Sequence, residues 1–496
     1  MAQSVAFAKT TRPAIGSIVP RARLFARLDG APGRTVAWIS GPPGSGKTSL
    51  AASYVEARGW RVLWYQVDAD DADVATFFHY LGHAARKLVG ERATELPKFS
   101  PQHGADVALF ARKFFRELFA RAKGHMALVL DSLQAVPADS ALYTALEAAF
   151  AQVPKNCCVV ITSRNEPPAS LARLRVTGEL TAVGGDSLRF EAPELAEVAK
   201  LRGHELPAAA ASQLESRTQG WAAGIVLMLE HAKLSGQMAQ VPDDAAPRAI
   251  FDYLAGEIFA RFERETQQFL LRIACLPRMS AAVAEGLSGE AKAGRLLLNL
   301  ALNDYFVSEV AAEEGRVFQL HPLLRDFLRS RAAQDLPEAL APAHLRRAAS
   351  LLAAAGQVED AVSLLAECRD WPEIARLAAG AADAMLAQGR SETLAGWLEL
   401  LPAEVLGGDA RLLKALAACR GESSPRAARR LYEQAFEAFR RSGDQGGMIE
   451  CCAGVIDATV LEFDDLAALD QWIPALAGLL AERRLAGPDA GARSPR

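Results

Sequence analysis

Gly41-Pro42-Pro43-Gly44-Ser45-Gly46-Lys47-Thr48 reads G-x-x-x-x-G-K-[ST], a spacing that wraps a backbone around phosphate. Glycines let such a loop turn until its N–H groups converge on oxygen atoms. In that chemistry Lys47 reaches the terminal phosphates, and Thr48, followed by Ser49, offers a hydroxyl to Mg2+. The helix expected after the loop points its positive end at the same anion. The apolar run MALVL ends in Asp131. An acid at a strand tip beside the loop can hold the same Mg2+, usually through water. ATP or ADP with Mg2+ is therefore the expected ligand, with phosphates on residues 41–49 and the metal on Thr48 and Asp131.

Hydrolysis is a separate question. Many P-loop ATPases place a second acid after this aspartate to orient the attacking water. Here the position is Ser132, whose hydroxyl has no appreciable basicity near neutral pH. Asp68 closes the run RVLWYQV and could reach the site from an adjacent strand. It could equally be one acid of the solvated run DADDAD. Arg164 follows another apolar run, where it can sense a γ-phosphate or simply end a strand in solvent. Asp131 and Asp68 are the candidate catalytic acids, and at most slow turnover is expected.

The elements that must position these residues alternate. TVAWIS (35–40), RVLWYQV (61–67), HMALVLD (125–131) and NCCVVITS (156–163) read as buried parallel strands between amphipathic helices. That order predicts an α/β P-loop domain over 35–185, after an N-terminal arm and lead-in at 1–34. A small helical domain is expected at 186–240, with a linker near 242–247. Residues 241–335 carry short helices, then FVSEV and RVFQL flanking a polar turn, a small hairpin before a helix. From 336 to 485 the pattern is helical, with breaks at Gly356, Gly389 and Gly421 near the period of a tetratricopeptide unit. A solenoid is expected there, and a disordered tail at 486–496.

Composition bounds the partners. The 496 residues carry 55 Lys+Arg against 59 Asp+Glu, a formal charge of −4, which excludes a globally basic nucleic-acid coat. Seven cysteines without C-x-x-C spacing read as buried thiols of a reducing cytoplasm. No apolar stretch is long enough to suggest a membrane helix.

Several segments together resemble the MalT-like, LuxR-associated branch of the STAND signal-transduction P-loop ATPases. RPAIGSIVPRARLFARL is similar to its lead-in, GPPGSGKTSL to its phosphate loop, and LVLDSLQAV to its second acidic strand, where the family usually has two consecutive acids. ITSRNEPPASLARLRVTGEL, RTQGWAAGIVLML and FQLHPLLRDFL are similar to its sensor, helical and winged-helix segments. By this resemblance Val19 and Arg21 lie near adenine, and His321 meets the β-phosphate of ADP; without it, His321 is a helix cap. Gly220-Trp221-Ala222 stands where the wider class often has Gly-x-Pro, so Trp221 is expected to pack rather than touch ligand. The resemblance implies a switch: ADP holds a closed monomer, and ATP exchange with an inducer or partner on the solenoid permits self-association. DNA contact would need a C-terminal module outside this chain.

Overall fold

The computed structural model describes residues 8–14, 18–30, 35–89, 96–122, 124–235, 247–303, 305–312, 315–462, 464 and 466–486. Residues 1–7 of the arm, most of the expected linker and residues 487–496 of the expected tail lie outside that set. The chain divides into two compact units, 1–361 and 362–496.

Among the described residues nine strands form two sheets: β1 (Pro13–Ala14), β2 (Val36–Ser40), β3 (Arg61–Gln66), β4 (Met126–Asp131), β5 (Cys157–Ser163), β6 (Leu180–Val183), β7 (Arg278–Ser280), β8 (Val307–Ala312) and β9 (Gly315–Leu320). The larger sheet is parallel throughout, in the order β3-β4-β5-β2-β6. Helices cover both its faces, so β2, β4 and β5 are buried at every residue and read as unbroken apolar runs. Successive side chains alternate between two cores. Val36 and Trp38 join a cluster rich in phenylalanine from Val74–Val89 and Val107–Arg121, whereas Ala37 and Ile39 face Lys47–Ala57. Phe78 sits edge-on to Phe110 at 4.8 Å and Phe114 at 5.0 Å, contacts worth about 0.5–1.5 kcal/mol each beyond the area they bury.

Register decides where the site lies. Ser40 pairs with Ser163, and Gln66 with Asp131, so the strand tips end at one edge of the sheet. The loops after β2, β4 and β5 therefore open together, as ligand loops of such sheets do. Edge strand β6 is not among the four strands expected, because four residues are too few to carry a period.

The second sheet runs β1-β8-β9-β7 and is antiparallel along its length. The β8–β9 hairpin matches the sequence expectation. The outer strands do not announce themselves, since two and three residues show no alternation. Through β1 the lead-in segment becomes an edge of this later sheet, with Pro13 opposite Val310.

Among the described residues of unit 2 the regular elements are all helices: Trp371–Ala387, Ser391–Glu399, Ala403–Gly408, Ala410–Arg420, Pro425–Ser442, Gln445–Glu462 and Leu469–Ala486 follow the helix that crosses the boundary. Of the three expected breaks, Gly356 and Gly389 turn at φ +76°, but Gly421 keeps a helical φ of −49°. No helix among the described residues is long and apolar enough to cross a membrane.

Candidate functional site

The loop leaves β2 with the Gly41 N–H donating to the Ser163 carbonyl at 3.2 Å, which ties it to the neighbouring strand tip. Gly44 sits at φ +72°, and a Cβ there would stand 2.8 Å from Ala223 Cβ and 3.0 Å from the Trp221 ring. Both backbone angle and space demand glycine at this position. The helix Lys47–Ala57 starts without a side-chain cap, so its first N–H groups are left for an anion. Ser45 Oγ is buried and has no protein hydrogen-bond partner.

Lys47 Nζ folds back to donate to the carbonyls of Gly41 and Pro42, each at 2.8 Å. Burial pushes its pKa down to about 8; Arg164 adds to the drop and Asp131 opposes it. Thr48 Oγ1 donates to Asp131 at 3.0 Å, bringing together the two groups expected to share a metal. Thr162 also donates its hydroxyl to Asp131, and the Ser132 N–H donates to Thr162 Oγ1 at 2.9 Å. Burial raises the Asp131 pKa against these hydrogen bonds. Ser132 itself takes a left-handed φ of 69°, an uncommon angle for a residue other than glycine.

Two cavities flank the loop. One, about 280 Å³, is lined by Lys47, Thr48, Gln66, Asp131, Arg164 and His321, with Asp131 as its only acid among the described residues. The other, about 490 Å³, lies along Pro42, Ser45, Leu188, Gly220, Trp221 and Leu323. Pro43, Arg164 and Pro322 border both. Arg164 is thus exposed and at the same time borders the cavity beside Lys47 and Thr48.

His321 fulfils the capping expectation and also faces the pocket. Its Nδ1 accepts from the Leu323 N–H at 3.2 Å at the start of the helix Pro322–Asp335, which leaves the proton on Nε2. Burial, then Lys47 and Arg164, lower its pKa to about 4, so the ring is neutral near pH 7. A histidine with its folded pKa below its unfolded one costs nothing above about pH 6.5, and it destabilises as pH falls toward 4. His321→Ala should cost about 1 kcal/mol of unfolding free energy through loss of the cap. His321→Asn should restore most of that and flatten the decline of stability below pH 6.5. Urea titrations at pH 7 and pH 5 read both effects.

Asp68 does not line the cavity that holds Lys47, Thr48 and Asp131. Lys9 Nζ holds both its oxygens at 3.0 Å and also meets Asp71 at 3.1 Å. Arg278 lies 3.9 Å from Asp68 and 3.1 Å from Asp360. Burial pushes the Asp68 carboxyl up, but Lys9 and Arg278 outweigh it and hold the group below the usual range. A low-pKa carboxylate bound to two cations is a poor base. Asp68 is a structural acid, and Gln66 is the β3 residue that lines the cavity.

Val19 is buried and Arg21 lies behind the larger cavity; neither lines it. Arg21 donates to the carbonyls of Leu188 and Arg189, both at 2.7 Å, pairs with Glu194 at 2.8 Å and covers the Phe190 ring at 3.9 Å. It braces the cavity wall instead of touching a base. The residue that the motifs undervalued is Trp221: its indole N–H donates to the Pro43 carbonyl at 3.0 Å. The nearby Gly-Trp-Ala turn was the only signal for it.

Comparison with known proteins bears on this arrangement. Residues 255–340 match the MalT winged helix domain. Over that segment the chain is similar to MalT. Residues 24–164 match the N-terminal domain of nephrocystin 3. The chain is 28% identical over 353 residues to the HTH-type transcriptional regulator MalT of Cronobacter sakazakii, covering 70% of this chain and 39% of the relative. It is 26% identical over 414 residues to the serine/threonine-protein kinase PknK of Mycobacterium tuberculosis, covering 82% of this chain and 37% of the relative. The chain thus spans about two fifths of the length of these curated relatives. Among solved structures, a STAND protein with a tetratricopeptide repeat sensor from Pyrococcus horikoshii aligns over 96% of this chain and 79% of its own, at 16% identity and a TM-score of 0.47. The chain is thus similar, over part of their length, to a transcriptional regulator and to a protein kinase.

Proposed function

We propose that this chain is the nucleotide-switched part of a MalT-type regulator, binding ADP or ATP with Mg2+ and changing state when one replaces the other. One observation carries the proposal: two segments distant in sequence, 221–223 and 321–323, close on a single loop after β2. Trp221 and Ala223 bond the Pro43 and Gly44 carbonyls at 3.0 Å each, Leu323 packs beside Gly44, and His321 lines the same pocket. The affinity of a ligand on that loop would depend on the placement of both, which is what a switch requires.

The residues present fit such a ligand. The orphaned Ser45 hydroxyl and the uncapped helix start offer hydrogen bonds to phosphate, and Lys47 needs only to swing from its own loop carbonyls. Residues 41–49 would cradle the phosphates, Thr48 and Asp131 would hold Mg2+, and the larger cavity would take the nucleoside. Bound Mg2+ supplies charge neutralisation to the phosphates. Arg164 and the Nε2–H of His321 offer further donors to them. With no second acid beside Asp131, hydrolysis is slow, which suits a timer better than a motor. In the same proposal unit 2 is a tetratricopeptide-like sensor for an inducer or protein partner, the ATP state self-associates, and the protein works in the cytoplasm in the manner of LuxR-type regulators.

The purified chain should retain a nucleoside diphosphate that acid extraction releases, and should elute larger with ATP than with ADP. Steady-state phosphate release should stay far below the ~10 per second of an ordinary enzyme. Turnover at that rate would instead make hydrolysis itself the function. Oligomer size and partner binding indifferent to nucleotide would leave a scaffold with a structural ligand.

A further inference from the structure

We propose that Trp221 is a positioning residue for the phosphate loop: from the neighbouring helical segment it holds the loop in its phosphate-receiving shape. The inference rests on the nucleotide reading of that site and adds how its affinity is set.

A loop that turns its N–H groups inward to an anion turns carbonyls outward, and buried carbonyls need donors. The Pro43 carbonyl finds the Trp221 indole N–H at 3.0 Å, and the Gly44 carbonyl finds the Ala223 backbone N–H at 3.0 Å. Ala223 lies in the first turn of Ala222–Ser235, where backbone donors have no partner within the helix. The fit leaves no slack, because the Gly44 Cα is already enclosed by Ala223, the Trp221 ring and Leu323.

The donor is itself held. Gly220 has φ +68°, and a Cβ there would strike the Phe190 carbonyl oxygen at 2.6 Å. The Phe190 N–H in turn donates to the Gly220 carbonyl at 2.9 Å. Arg21 stacks on Phe190 and bonds the carbonyls on either side of the preceding peptide. A connected set of contacts therefore runs from the lead-in through 188–190 and 220–223 to the loop carbonyls. Moving the 220–223 turn away would free those carbonyls and let the loop relax, raising nucleotide off-rate without any change in the residues that touch phosphate.

The test is competition titration of the full chain with a fluorescent ADP analogue, read against unlabelled ADP and adenosine. Trp221→Phe keeps the ring and removes the N–H. It should weaken ADP about tenfold, the factor that corresponds to one lost hydrogen bond of ~1.4 kcal/mol, with stoichiometry unchanged and a smaller loss for adenosine, because an aromatic ring still lines the cavity that would take the nucleoside. Ala223→Pro, tolerated in a first helical turn, removes the other donor and should act in the same sense. An ADP affinity within twofold of wild type in both variants overturns the proposal. So does an equal loss for ADP and adenosine, which would mean general damage to the fold. If the wild-type chain binds ADP no better than a Lys47→Ala control, the nucleotide reading itself fails and this inference falls with it.

Discussion

Lys9→Met should destabilise the first unit by about 3–5 kcal/mol, the usual cost of breaking a buried ion pair from one side. Lys9 is 5% exposed and Asp71 fully buried. The lysine holds Asp68 and Asp71 together while lying 4.5 Å above the Tyr80 ring, and Tyr80 bonds Glu359 in turn. Tyr65 donates to Asp71 at 2.6 Å, so removal of Lys9 strands two carboxylates in a site with few other donors. The loss should depend on pH with a definite sign. Burial lifts the Asp71 pKa to about 7 despite Lys9, with Asp68 pushing it further up. A carboxyl whose folded pKa exceeds its unfolded one binds its proton better when folded, so it favours folding at low pH and penalises it as pH rises through 7. Without Lys9 both acids gain by protonation, and the deficit should be larger at pH 8 than at pH 5.5. Adding Asp71→Asn to Lys9→Met should recover part of the loss at pH 8. Urea unfolding at the two pH values measures this. A deficit below about 1 kcal/mol, or one independent of pH, would mean that the cluster is not a structural ion network.

Nucleotide affinity should fall by two to three orders of magnitude in Lys47→Ala. Hydrogen bonds from a charged donor contribute about 1.5–3 kcal/mol each, and this side chain can make two to phosphate oxygens. Its titration supplies a second readout. In the free site burial leaves the Lys47 pKa at about 8, and phosphate binds the charged form. Bound phosphate raises that pKa, so binding takes up a proton above pH 8. Affinity should therefore be flat below pH 8 and decline with rising pH above it, and Lys47→Ala should show no such decline. Isothermal titration in buffers of different ionisation enthalpy counts the proton directly. Retained tight binding in Lys47→Ala would exclude the loop as the phosphate site.

The two residues divide what could be read in one dimension from what could not. Lys47 is legible because every part of its chemistry is local: the loop, the strand before it and the helix after it are contiguous, and their spacing alone prescribes a phosphate cradle. Asp131 is legible for a related reason, since parallel register must align strand tips at one edge. Asp68 shows the limit. It too ends a strand run at that edge, but a lysine 59 residues earlier takes its carboxylate, and no local pattern records that pairing. The lead-in segment behaves likewise: Pro13–Ala14 joins a sheet whose other strands begin at residue 278, and Arg21 braces Glu194 instead of meeting a base.

Sequence by itself thus determined the parallel core, the glycine-rich loop that carries Lys47 and Thr48, the acid at Asp131 and the serine that follows it at 132. Those follow from side-chain type at short separations, where periodicity and backbone geometry leave few options. Only the tertiary structure decided which distant groups close on the loop. Trp221 reaches Pro43 across 178 residues, and His321 turns a helix cap into a pocket wall, because burial leaves carbonyls and charges that must find donors wherever the fold brings them.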